Sequence, residues 1–115
     1  MAGVISIVIS QSAMDYILNQ EINKDKLFVV LAQEVPVEAH KPIEEELGKL
    51  EKKYREKETV IVVRVICKTS PEFIENYKIK AFPTVFFIKD KVKVDEHVGL
   101  DPKPIEEILR KYIKT

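Results

Sequence analysis

Lys80-Ala81-Phe82-Pro83-Thr84-Val85-Phe86-Phe87 sets an X-Pro step directly in front of a continuous apolar run. Proline holds its predecessor away from the α region and has no amide to give to a ladder, so it belongs at the entry of a strand. Thr84-Val85-Phe86-Phe87-Ile88 then reads as that strand, and Val92-Lys93-Val94-Asp95-Glu96-His97-Val98 reads as the next. Between them Lys89-Asp90-Lys91 is a tight turn, with Asp90 tolerating the left-handed conformation, so the pair is an antiparallel hairpin. Downstream, Asp101-Pro102 caps a helix with the apolar stripe Ile105, Ile108, Leu109, Tyr112 and Ile113. Glu106 with Arg110 and Glu107 with Lys111 lie four residues apart on its exposed side.

Upstream of the proline the chain alternates. Val4-Ile5-Ser6-Ile7-Val8-Ile9 is rich in β-branched residues and predicts a strand; Ser10 or Ser12 then caps a short helix around residues 13–18. Leu27-Phe28-Val29-Val30-Leu31-Ala32 has no polar alternation, which predicts a strand buried on both faces at the centre of a sheet. His40, Ile43, Leu47, Leu50 and Tyr54 recur at spacings of three and four, the stripe of a long amphipathic helix. Pro42 falls within that pattern and predicts a kink. Val60-Ile61-Val62-Val63-Arg64-Val65-Ile66-Cys67 predicts a third buried strand, and Ser70-Pro71 a cap opening a short helix through Tyr77. The order is βαβαβαββα. Crossover helices force parallel strands and the terminal hairpin forces antiparallel ones, so the expected fold is α/β, a mixed central sheet with helices on both faces.

At 115 residues and 45% hydrophobic content, the chain suits one domain over residues 1–115 with a core that needs no metal or disulfide. Nineteen Lys+Arg balance nineteen Asp+Glu, and the signs alternate along the helices, which speaks against nucleic-acid and anionic-membrane partners. The first residues lack a basic flank and carry too short an apolar run for a signal peptide or a spanning helix, so the expected location is cytoplasmic. One free cysteine agrees with a reducing compartment. Abundant Lys, Glu, Ile and Val with few Gln and Asn is a composition often met in proteins that work hot, a possible thermophile.

The βαβαβαββα order together with Phe82-Pro83-Thr84 and Val98-Gly99 resembles the thioredoxin family over essentially the whole chain, without gaps from Cys67 onward. The resemblance implies a cis bond before Pro83, and a groove for an extended peptide formed by Phe82, Pro83, Thr84, Val98 and Gly99. It also implies an active-site Trp-Cys-Gly-Pro-Cys at the start of the long helix. Counting back from Pro42, taken as the family's helix proline, places that motif on Gln33-Glu34-Val35-Pro36-Val37. Pro36 matches; Glu34 and Val37 stand where the family has its cysteines, Phe28 where it has a buried acid, and the chain has no tryptophan. Disulfide exchange needs one thiolate to attack and a second to resolve the mixed disulfide. With Cys67 as the only cysteine, the chain cannot supply both.

The other candidates for chemistry are few. Cys67 ends a buried strand, away from the expected helix start, and reads first as structural; Lys68 beside it would lower its pKa if both were exposed. Glu34 at a helix N-terminus would stay ionised, which suits helix stabilisation rather than base catalysis. His40 and His97 have no second nitrogen or sulfur at ligand spacing, so no metal site is expected. Three glycines leave no phosphate loop, and no cofactor is expected. The sequence thus predicts a redox-inactive domain that binds a protein or peptide through its groove, or that associates with itself as a homodimer. The alternative is a thiol enzyme using Cys67 alone or with a partner's cysteine, and a structural subunit of a larger assembly also fits.

Overall fold

The computed structural model describes residues 5–113. Its organising element is the apolar run at Leu27–Gln33, here β2, whose seven residues are all buried. Such burial is possible only with strands on both sides and helices on both faces. Val60–Ile66 (β3) pairs with β2 in parallel, with Val30 opposite Val63. Thr84–Lys89 (β4) pairs antiparallel on its other side, with Val30 opposite Phe86. Ser6–Ile7 (β1) closes one edge in parallel with β3, and Val92–Val98 (β5) closes the other in antiparallel with β4. The sheet order is β1-β3-β2-β4-β5. Val4 of the expected first strand lies outside the described residues.

Alternation along the strands divides the core in two. Phe28, Val30, Ala32, Val63, Val65, Phe86 and Ile88 face one side with Met14 and Leu18 of Gln11–Asn19 (α1) and Phe73 of Glu72–Asn76 (α3). Leu27, Val29, Leu31, Val62, Val85 and Phe87 face the other with Ile43, Leu47 and Leu50 of Lys41–Arg55 (α2) and Ile105 and Leu109 of Lys103–Tyr112 (α4). Tyr77 bridges the first cluster, its ring stacked on Phe86 with centroids 4.7 Å apart.

Local chemistry sets the ends. Ser10 caps α1, its side chain accepting from the Ala13 amide at 3.0 Å. Asp90 and Lys91 both have positive φ, 53° and 68°, the pair of left-handed residues that a two-residue hairpin turn requires. Asp101 Oδ1 accepts from the Lys103 amide at the start of α4. Glu106 of that helix takes Lys53 as its ion-pair partner in addition to Arg110.

Two expectations are corrected. Pro42 does not kink a helix interior: Glu38–His40 forms a 3₁₀ turn, α2 begins at Lys41, and Pro42 lies in its first turn, where the missing amide has no intrahelical partner to lose. Ser70 does not cap α3: its hydroxyl donates to the Ile9 carbonyl at 2.6 Å, while the Phe73 amide uses the Ser70 backbone carbonyl. The buried hydroxyl satisfies the chain leaving β1 instead.

Candidate functional site

β2 ends at Gln33, and everything that the sequence singles out meets beyond that end. Ala32 stands opposite Thr84, so the Pro83 segment lies beside the chain leaving β2. Thr84 in turn stands opposite Val98, and the Gly99 amide donates to the Pro83 carbonyl at 3.0 Å. On the other flank the Cys67 amide donates to Gln33 O at 2.7 Å and the Lys68 amide to Glu34 O at 3.1 Å. Sheet register thus gathers residues 34–37, 82–84 and 98–99 with Cys67 at one end of the strands.

The surface this makes is apolar and open. Val37 and Val98 are each 46% exposed and Leu100 is 49% exposed. Val35 is half-buried and Pro36 exposed. The Phe82–Pro83 peptide bond is cis. Gly99 has φ +116°, a conformation that side-chain-bearing residues rarely adopt, and a Cβ built on it would meet nothing within 4 Å. Glycine is there for the backbone turn, and the space above it is empty. Two surface depressions, of about 410 and 430 Å³, lie elsewhere, against Lys24, Thr59 and Lys89 and against Asp15, Asn76 and Lys91 respectively.

Four of the predicted site residues take different places. Thr84 is fully buried and its Oγ1 donates to the Ala81 carbonyl at 2.6 Å, so it shapes the loop from inside and offers no side chain to a ligand. Pro83 is buried, and the Phe82 ring packs partly into the core under α1 and α3. Glu34 is exposed on a bend before the 3₁₀ turn, so the helix-dipole argument made for it fails.

Cys67 is adjacent to the loop leaving β2 rather than away from it, yet it is 1% exposed. Burial, followed by the charges of Glu34 and Glu72, pushes its thiol up to about 11. A thiol kept neutral in this way is a poor nucleophile at physiological pH. Among the described residues no group of three or more His, Cys, Asp and Glu is placed to hold a metal ion.

Beneath the loop is a polar cluster that the sequence reading missed. Gln33, fully buried, donates through Nε2 to Glu44 Oε2 at 2.9 Å and lies 3.0 Å from His40 Nδ1. Arg64 Nη1 donates to the same Glu44 oxygen at 3.1 Å and reaches Gln33 Oε1 at 3.4 Å. Gln33 therefore presents its oxygen to the guanidinium and its amide nitrogen to the carboxylate, leaving His40 Nδ1 as an acceptor. These bonds tie the end of β2 to β3, the 3₁₀ turn and α2, which fixes the chain on either side of residues 34–37. The signal was present in Arg64, a charge inside an otherwise apolar strand.

Comparison with known proteins places this arrangement. The chain matches the family described as thioredoxin over residues 10–114. The structure of Fasciola hepatica thioredoxin superposes with a TM-score of 0.82 at 23% identity, covering 94% of this chain and 99% of that one. Schistosoma mansoni thioredoxin gives 0.81 at 28% identity, with 95% of each chain covered. Malassezia sympodialis thioredoxin, Mala s 13, gives 0.81 at 20% identity, covering 96% of this chain and 91% of that one.

Proposed function

This chain belongs to the thioredoxin family, and from that premise we propose that it is a redox-inactive member working as a binding module for an extended apolar segment of a protein partner. The observation that carries the reading is the pairing of an open apolar surface at Val37, Val98 and Gly99 with burial of the chain's one thiol. Extended segments bind such sites by main-chain hydrogen bonds, with side chains entering apolar hollows, and neither contribution needs a thiol. Burying apolar area is worth about 25 cal/mol per Å². Two half-exposed valines and Leu100 offer little such area, and the entropy lost on association offsets part of its worth, so the expected affinity is weak. The bent chain of residues 34–37 supplies the second wall, held from below by Gln33, Glu44 and Arg64.

The test is titration of the isotope-labelled protein with a cysteine-free, valine-rich extended peptide, followed by NMR amide shifts. The expected result is saturable perturbation centred on residues 35–37, 82–84 and 98–100, weakened at least tenfold by Val98→Arg. Arginine at position 98 tests the surface more cleanly than any change at Gly99, whose backbone conformation would be strained by a side chain. Perturbation confined to the outer faces of α2 and α4, or none at millimolar peptide, would refute the reading. Shifts at these residues that depend on protein concentration without peptide would instead mean that the surface serves self-association.

A further inference from the structure

The two edges of the sheet are protected very differently. β5 carries Lys93, Asp95, Glu96 and His97, its ladder with β4 is irregular at Phe87/Ile88, and Tyr112 Oη donates to the Val94 carbonyl. Charges, bulges and capped carbonyls are the usual devices that keep an edge strand from pairing with another chain. β1 has neither a charge nor a bulge; its shortness and the Ser70 hydroxyl on the Ile9 carbonyl are what guard it. Although a third of the chain is charged, its first charged residue is Asp15, and residues 5–9 read Ile5-Ser6-Ile7-Val8-Ile9 with no proline. Ile7 is 55% exposed and Ile9 74% exposed, whereas Ile5 packs partly against the core beneath α2 and Val8 is buried on the opposite face.

We propose that the β1 edge pairs with the β1 edge of a second copy of this chain, antiparallel about Ile7, joining two five-stranded sheets into one. The Val8 amide donates to Arg64 O within the sheet, at 2.9 Å. A residue in a parallel strand directs both main-chain groups to one neighbour, so Ser6 and Val8 face β3 while Ile7 faces the free edge. A two-fold axis at Ile7 therefore makes the two Ile7 residues a hydrogen-bonded pair. The Ile9 carbonyl is already taken by Ser70 Oγ, so beyond that pair each Ile9 amide donates to the Ile5 carbonyl of the other copy.

The side chains select the same register. Pairing about Ile7 sets Ile5 against Ile9, Ile7 against itself and Ser6 against Val8. Ile5, Ile7 and Ile9 of both copies then form one stripe, in which the most exposed isoleucine of one copy meets the best covered of the other. No charge in the strand opposes the symmetric arrangement or calls for a partner of opposite sign. Two exposed isoleucines and a short strand edge cover less than the roughly 800 Å² per partner of a standard interface, so the association is weak. β1 and β5 lie at opposite ends of the strand order, so this contact and the peptide surface do not depend on one another.

Sedimentation equilibrium of the full chain from about 10 μM to 1 mM tests the proposal, a range chosen for micromolar association. The expected result is a weight-average mass rising toward twice the monomer's, with association weakened at least tenfold by Ile7→Lys, because like charges would face each other across the axis. Ile9→Lys, at the more exposed position, has the same expected outcome, and unfolding midpoints matched to wild type show that both variants fold. Mixing Ile7→Lys with Ile7→Glu restores a one-to-one dimer, an outcome specific to this register. Val92→Lys on β5 leaves association unchanged. A wild type that stays monomeric at 1 mM overturns the proposal. So does association unaffected by Ile7→Lys, or lost through Val92→Lys.

Discussion

Cys67 shows how position sets the chemistry of one residue. A thiol held at about 11 in the fold and at an ordinary 9.0 when exposed favours the folded state only while it stays protonated. That contribution is fully present below about pH 9 and is lost as the pH rises toward about 11, so stability should fall across this window and Cys67→Ala should flatten the fall. The same burial predicts that alkylation by iodoacetamide at pH 8 is slower than that of a free thiol by about 100-fold, from thiolate fraction alone, and reaches the free rate in denaturant. Native labelling at the free-thiol rate would show that the residue is accessible. Its neutrality was legible as a tendency, since a cysteine closing an apolar strand is usually buried. Its contact with the Gln33 carbonyl was not, because that depends on β2 and β3 running side by side in parallel.

At the scale of elements, the start of α2 separates periodicity from geometry. Spacing marks Ile43, Leu47, Leu50 and Tyr54 as one face, and all four are buried. Spacing does not mark where the helix begins, because a 3₁₀ turn and an α turn carry apolar residues at nearly the same intervals. Pro42 therefore reads as an interior kink in the sequence and is an initiator in the fold. Pro42→Ala should change the unfolding free energy by less than about 1 kcal/mol, the range for a first-turn proline. A gain near 3 kcal/mol in chemical denaturation would place the proline in a helix interior after all. α3 teaches the same lesson: Ser70-Pro71 is a sound start signal, yet the serine hydroxyl is drawn to Ile9, a carbonyl far away in sequence.

For the whole molecule, the family's architecture is complete while the chemistry associated with it lacks its second thiol. Strand register brings segments 34–37, 82–84 and 98–99 together, so their assembly survives changes in side chain. Wild type should accelerate reduction of insulin by dithiothreitol no more than Cys67→Ala does. Turnover present in wild type and absent in the variant would establish a single-thiol enzyme instead. Among the described residues no helix is long and apolar enough to cross a membrane. The unequal edges are a property of this scale too, since only the strand order makes β1 and β5 the edges.

Sequence by itself determined the element order, the central buried strand, the hairpin and the absence of a cysteine pair. Each of these depends on local period, turn chemistry or a simple count of residue types. Only the tertiary structure decided that Thr84 and Phe82 turn inward while Val37 and Val98 turn outward. It alone joined Gln33, His40, Glu44 and Arg64, and left Ile7 and Ile9 exposed on an edge without charges. The physical reason is that exposure and polar pairing are set by which segments pack together. That packing brings residues tens of positions apart into contact, and no local pattern in the chain records it.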